Sequence, residues 1–417
     1  MLMTNFTHKF SKLALGATIH VVAVALFLVV FGVSAVFAQT RGYVTNALDN
    51  TVSVIDSATN TVVATVPVGI TPEGVAVTPD GAFAYVANFN NNTVSVIAAA
   101  TNTVVATVPV GKNPFGTAIT PNGAFAYVAN DTTISVIDIA TNTVIATVSV
   151  GARPVGVAIT PDGAFTYVAN FIGDTVSVID TATNTVTATI PGITLPIFIA
   201  ITPNGDFAYV TQAGGTVAVI DTQTNTVTAT IPVGIAPQAI DITPNGAFAY
   251  VANFGGTVSV IDTATNTVSA TVSVPSPEGI AVRPDGAFVY VTGNSSNTVA
   301  VIDTATNTVT ANIPVGTGPV LIAFPTRGQA DPIDSLIAQV QALVAGGSLT
   351  QNQAAGLLDK LDQIQTKLDN GQTATACNQL SSFINQVTAL INSGSLTANQ
   401  GQVLIDAANA IKASIGC

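Results

Sequence analysis

Seven segments of the chain open with a proline, and the residue after it differs between copies: Glu73, Phe115, Val155, Ile197, Gln238, Glu278 and Val320. Two carboxylates in a set that is otherwise apolar or neutral can do three kinds of chemistry. They can hold a cation, accept hydrogen bonds from sugar hydroxyls, or work as an acid and base pair. Phe115 adds an apolar platform and Gln238 a neutral hydrogen-bonding group. Glu73, Phe115, Gln238 and Glu278 are therefore the candidate ligand-binding residues.

Other chemistries lack residues to carry them. Both histidines, His8 and His20, fall in the first 38 residues, which read as an export signal: Lys9 and Lys12 precede an apolar run, and the run ends in Ala-Val-Phe-Ala at Ala38. Cleavage there starts the mature chain near Gln39 and leaves it without imidazole. That excludes histidine general bases, Ser-His-Asp triads and His-ligated zinc, copper or haem. The alternative is an uncleaved anchor, since the apolar stretch 13–38 is long enough to span a bilayer. No Walker loop, dinucleotide fingerprint, zinc motif or EF-hand loop is present. No catalytic set, metal site or cofactor is expected, and no membrane span after cleavage.

Charge narrows the partners. Only 8% of residues are charged and the formal net charge is −12, so the clustered Lys and Arg that a nucleic-acid partner needs are missing. Few charges with abundant Thr, Val and Asn suit a β-rich surface in an extracellular medium. The expected location is secreted or cell-surface.

The candidate residues need a frame, and a repeat supplies it. All seven tyrosines, at 43, 85, 127, 167, 209, 250 and 290, sit at one repeat position. Each unit holds four strand-like runs, as in "PEGVAVTPDG", "AFAYVAN", "NTVSVI" and "NTVVATVPVG". In Thr-Pro-Asp/Asn-Gly, proline presets the first corner of a turn and glycine accepts positive φ. In "IDSATNTV" and its copies, Asp56, Asp138, Asp180, Asp221, Asp262 and Asp303 can accept turn amides, and the following Asn tolerates the left-handed region. Ala98 replaces this Asp in one copy, so the Asp is a turn device and not part of a metal ring.

Alternation along "AFAYVAN" puts Phe83 and Tyr85 on one face and Ala84 and Val86 on the other, so an aromatic face can stack on a neighbour's small-residue face. Only the first copy departs, with Arg41 at the Phe position. The ends are out of phase. The first copy begins at its second strand, "RGYVTN", and a surplus first strand, "GPVLIAFPTRG", follows the last copy. A ring explains this, because the last strand can complete the first blade and abolish sheet edges.

"YVTN" at 43–46, four copies of "YVAN" and the recurring "SVIDTATNTV" resemble the YVTN family of β-propeller repeats of prokaryotic surface and secreted proteins. The likeness covers about 40–328 and departs slightly at "YVTQ" (209–212) and "YVTG" (290–293). It implies a surface-exposed propeller with no shared catalytic residue set.

Beyond Arg327 the period becomes helical: Leu336, Ile337, Val340, Leu343 and Val344 form one stripe, and Leu357, Leu358, Leu361, Ile364 and Leu368 another. A second hairpin echoes the first, with "GSLT" at 347–350 and 394–397 and each Thr placed to cap a helix. This segment resembles the FIMAH-type domain of bacterial secreted proteins, through "FINQV" at 383–387 and "LIDAANAI" at 404–411. Cys377 and Cys417, the only cysteines, most simply form a disulfide in an exported chain.

The expected fold is an all-β seven-bladed β-propeller (39–328) followed, after a linker at 329–333, by a small all-α four-helix domain (334–417). The expected function is a non-catalytic binding or structural module with an extracellular or cell-surface protein or carbohydrate as partner. Two alternatives stand beside it: an extracellular propeller enzyme of lactonase or quinoprotein outline, and a surface-lattice subunit. The Asn- and Gly-rich loops carrying Phe89, Phe171 and Phe254 are a second variable zone.

Overall fold

The computed structural model describes residues 41–325, 332–345, 347–369, 372–415 and 417; the signal segment lies outside them. Residues 41–323 form seven four-stranded antiparallel sheets, the blades of a propeller. Blade 1 is completed by the last strand of the series. Pro319–Ala323 pairs with Arg41–Asn46, matching Tyr43 to Ala323 and Val44 to Ile322. The Thr45 hydroxyl donates to Glu73 O at 2.7 Å and accepts from Leu321 N at 3.1 Å, so the closing strand is tied to blade 2 as well. Phe324 then inserts beside Tyr290 of blade 7, ring centroids 4.8 Å apart.

The repeated tyrosine explains how blades hold one another. All seven are at most 1% exposed. Tyr85 OH donates to Asn142 Oδ1 at 2.7 Å in the next blade, and Tyr127, Tyr167, Tyr209 and Tyr250 do likewise to Asn184, Asn225, Asn266 and Asn307. Burial pushes the Tyr85 and Tyr250 hydroxyls up to about 12, with a smaller push from a nearby Asp, so both remain donors across the physiological range. The receiving asparagines have positive φ, for example +53° at Asn142, which the Asp138 turn makes affordable by accepting the Thr141 amide at 2.8 Å. Arg41 changes this in the first copy: its guanidinium donates to Ala99 O at 2.6 Å and reaches Asn102 Oδ1 at 3.3 Å.

The asparagine of "YVAN" has its own partner. Asn88 Nδ2 donates to Thr93 Oγ1 and Ser95 Oγ at 3.1 and 2.9 Å, and its Oδ1 accepts Gly69 N from the preceding blade at 3.0 Å. Where the asparagine is lost, so is the serine: the copy with Gln212 has Ala218 at the serine position, and the copy with Gly293 has Ala300. A buried hydroxyl without its amide donor is not retained. In the Thr-Pro-Asp-Gly turns, Thr78 Oγ1 accepts Phe83 N at 3.0 Å, and Gly81 takes φ +70°.

The helical region has four helices, α1 (Pro332–Ala345), α2 (Gln351–Asp369), α3 (Thr373–Asn392) and α4 (Ala398–Ser414). Leu336, Val340, Leu357, Leu361, Phe383 and Leu404 are among its buried core residues. Thr397 and Gln400 form a capping box at α4, and Thr350 and Gln353 repeat it at α2. The two connectors also bond each other: Gln353 Nε2 donates to Ser395 Oγ and Gln400 Nε2 to Ser348 Oγ, each at 2.9 Å. A disulfide joins Cys377 to Cys417.

Candidate functional site

The innermost strand of each blade starts at the same end of the ring, and the variable residues lie there. Their surroundings differ by chemistry. Val155, Ile197 and Val320 are 8%, 7% and 4% exposed and pack into the frame, whereas Glu73, Phe115, Gln238 and Glu278 are half-buried and remain accessible. Glu73 (blade 2) and Glu278 (blade 7) flank blade 1. Burial pushes the Glu73 carboxyl up to about 8, and the charge of the neighbouring Glu278 adds to the rise. Glu278 is raised too, again by burial, against a hydrogen bond from Asn294 that lowers it. Glu73 therefore retains its proton at neutral pH.

Phe115 stands outside a strand. The inner strand of blade 3 is only Thr117–Ile119; before it Phe115 N still donates to Ala129 O of its own blade at 2.8 Å, while Gly116 N donates to Val155 O of the next blade at 3.1 Å. The Phe115 ring meets Phe89 at 6.4 Å edge-on and Phe198 at 6.2 Å. Phe198 belongs to blade 5, so this contact passes over the inner strand of blade 4. Phe198 and Leu321 occupy a position that is glycine in four copies, and both pack against the cluster shared by blades 6 and 7. Apolar side chains thus fill the axis beside the acid pair. Gln238 lies apart from the phenylalanines, with Nε2 3.5 Å from Ala236 O in its own loop.

One further carboxylate escaped the sequence reading. Asp241 stands in the column otherwise formed by Ala76, Ala118, Ala158, Ala200, Ala281 and Ala323, each opposite its blade's tyrosine. It accepts Ile242 N and, from the inner strand of blade 7, Val282 N, both at 2.8 Å. Burial raises it to about 6 despite those amides. Aligning the repeats column by column would have exposed it. Among the described residues no group of three or more His, Cys, Asp or Glu could hold a metal, and no helix is long and apolar enough to cross a membrane.

The loops of the second variable zone divide. Phe171 lies under Arg153, 5.6 Å from guanidinium carbon to ring centroid, Phe89 supports Phe115, and Phe254 is exposed.

Comparison with known proteins agrees with this architecture. Residues 114–214 match the YNCE-like beta-propeller family and residues 333–413 the FIMAH domain. No curated protein matches the sequence. Among solved structures, hydrazine synthase of Kuenenia stuttgartiensis is similar with 24% identity and a TM-score of 0.57, over 62% of this chain and 90% of that one. A functionally unknown protein from Desulfotomaculum acetoxidans gives 20% and 0.62, over 68% and 98%. Dihydro-heme d1 dehydrogenase NirN, in complex with DHE, gives 14% and 0.56, over 70% and 76%. At such identities the likeness carries the fold alone. The chain is a seven-bladed β-propeller with a YNCE-like match through its third to fifth blades, followed by a four-helix region that matches the FIMAH domain.

Proposed function

We propose that the propeller is a non-catalytic extracellular binding module whose ligand meets the face carrying Glu73, Phe115, Gln238 and Glu278. The observation that carries this reading is the acid pair, two half-buried carboxyls on the inner strands either side of blade 1, at a position where the other copies place Val, Ile, Phe or Gln. Such an arrangement destabilises the ring and supplies no packing, which favours a role in recognition. A cation that displaces the Glu73 proton, or a ligand that presents hydroxyls to the carboxyl oxygens with an apolar face toward Phe115, fits the site. The disulfide and the export-like first 38 residues support secretion or surface display, where an extracellular protein or carbohydrate is the partner.

The test is a screen of residues 39–417 against glycans and divalent cations, repeated with E73Q/E278Q. Folded variant with at least tenfold weaker binding is the expected result. Equal affinity would remove the acid pair from the site. A catalytic reading draws on the same carboxyl, since a group that keeps its proton to about 8 can act as a general acid near neutrality. Turnover of glycosides or lactones that disappears with E73Q would replace the binding reading.

A further inference from the structure

Away from the acid pair, two clefts open between blades at the rim. One, about 550 Å³, lies between blades 7 and 1, and the other, about 370 Å³, between blades 1 and 2. They are the same site at consecutive junctions. Each has a wall formed by the end of the preceding blade, Pro314-Val315-Gly316 in the first and Pro67-Val68-Gly69 in the second. Opposite are Thr51, Ser53, Val62 and Thr65 in the first, and Thr93, Ser95, Val104 and Thr107, their repeat equivalents, in the second.

The polar groups are arranged as donors. Asn46 Nδ2 donates to Thr51 Oγ1 and to Ser53 Oγ at the cleft floor, both at 3.0 Å. Asn88 serves Thr93 and Ser95 in the same way. Each hydroxyl oxygen is thus engaged as an acceptor, and among the described residues none of the four donates to a protein acceptor; Ser53 and Ser95 are buried, so the half-buried Thr51 and Thr93 present the accessible hydrogens. Thr65 and Thr107 add exposed hydroxyls on the outer strands. At the lip, Asp49 Oδ2 takes Thr317 N and Asn91 Oδ1 takes Ile70 N, which fixes both side chains in place.

These features select a ligand class. Valine and proline walls suit the C–H faces of a sugar ring, while hydroxyl donors suit its oxygens. One cleft carries a carboxylate and the other an amide at the same place, so a ligand common to both is neutral. Two like clefts side by side suit a repeating ligand. We propose that the clefts at the 7–1 and 1–2 junctions are saccharide subsites that take successive portions of one neutral polysaccharide.

The inference is independent of the acid pair, and its test separates the two. The protein would be run in native affinity gels containing dextran, a β-1,3-glucan or galactomannan, with alginate as the anionic control. Two variants address the clefts: T65V/T107V removes exposed hydroxyls, and T65R/T107R fills both clefts from outer-strand positions without entering the core. Retardation by at least one neutral polymer is expected, several-fold weaker in the Val variant and at least tenfold weaker in the Arg variant. Blocking one cleft alone should cost most of the avidity, because linked binding exceeds single-site affinity by about 10²-fold or more. T65R/T107R should leave divalent-cation binding by the acid pair as in the parent, so failure of the clefts and failure of the acid pair are read separately. Absence of retardation by all three neutral polymers, stronger binding to alginate, or undiminished binding by T65R/T107R would overturn the proposal.

Discussion

Tyr290 of blade 7 donates its hydroxyl to Oδ1 of Asn60 in blade 1 at 2.7 Å, the bond that Tyr85 makes to Asn142 within the ring. The last junction is therefore chemically the same as an internal one. Tyr290→Phe should destabilise the propeller by about 1 kcal/mol, as should Tyr127→Phe. Urea unfolding of the two variants checks this, and a neutral Y290F beside a destabilised Y127F would show that the closing bond contributes nothing.

The closing strand carries a larger share. Removing 319–327 strips the inner edge of blade 1 and the Phe324 contact with Tyr290, so the loss should be roughly 3 kcal/mol or more, with association through the bared edge. Removing 332–417 should leave the ring's unfolding within about 0.5 kcal/mol of the parent. Light scattering and thermal melts of both truncations distinguish these outcomes.

Protons held by the fold give a pH signature. Glu73 rises from 4.5 to about 8 and Asp241 from 3.8 to about 6, so between pH 4 and 8 the folded ring binds more protons than the unfolded chain. Rising pH then favours unfolding across that window. Asp180, lowered chiefly by the Thr183 amide and hydroxyl, acts below its ordinary value of 3.8 and stays outside it. The melting temperature should fall by roughly 3 to 8 °C from pH 4.5 to 8, and E73Q/E278Q/D241N should flatten the curve. Calorimetry at three pH values decides it; a flat parent profile would contradict the assigned shifts.

The disulfide ties the last residue to α3 across 40 positions. Cys417→Ser should destabilise the helical region by about 2 to 4 kcal/mol while the ring is unaffected. Helical ellipticity during denaturation reads this directly.

Much of the frame was legible because it repeats. Tyrosine spacing, turn residues and the out-of-phase ends led to seven blades and to closure by the surplus strand, since period-two alternation and turn chemistry act locally. What escaped was contact between copies. Nothing within one repeat shows that its tyrosine bonds the next blade's turn asparagine, or that Phe115 of blade 3 meets Phe198 of blade 5. The acid pair is visible as two exceptions in one column of the repeat, and Asp241 as an exception in a column of alanines whose position opposite the tyrosine only the strand register shows. Burial, which sets how these carboxyls titrate, is a property of the assembled ring.

Blade 1 also has a history in time. Thr45 and its closing partner Leu321 stand 276 residues apart. Ribosomes add about 5 to 20 residues each second, so the first three strands of that blade, complete at Pro67, wait roughly 13 to 51 s for the fourth to end at Ala323. Each later blade is synthesised whole. The molecule therefore begins with its one incomplete sheet and ends by mending it, and a chaperone that shields an open strand edge would find its target at the start of the chain.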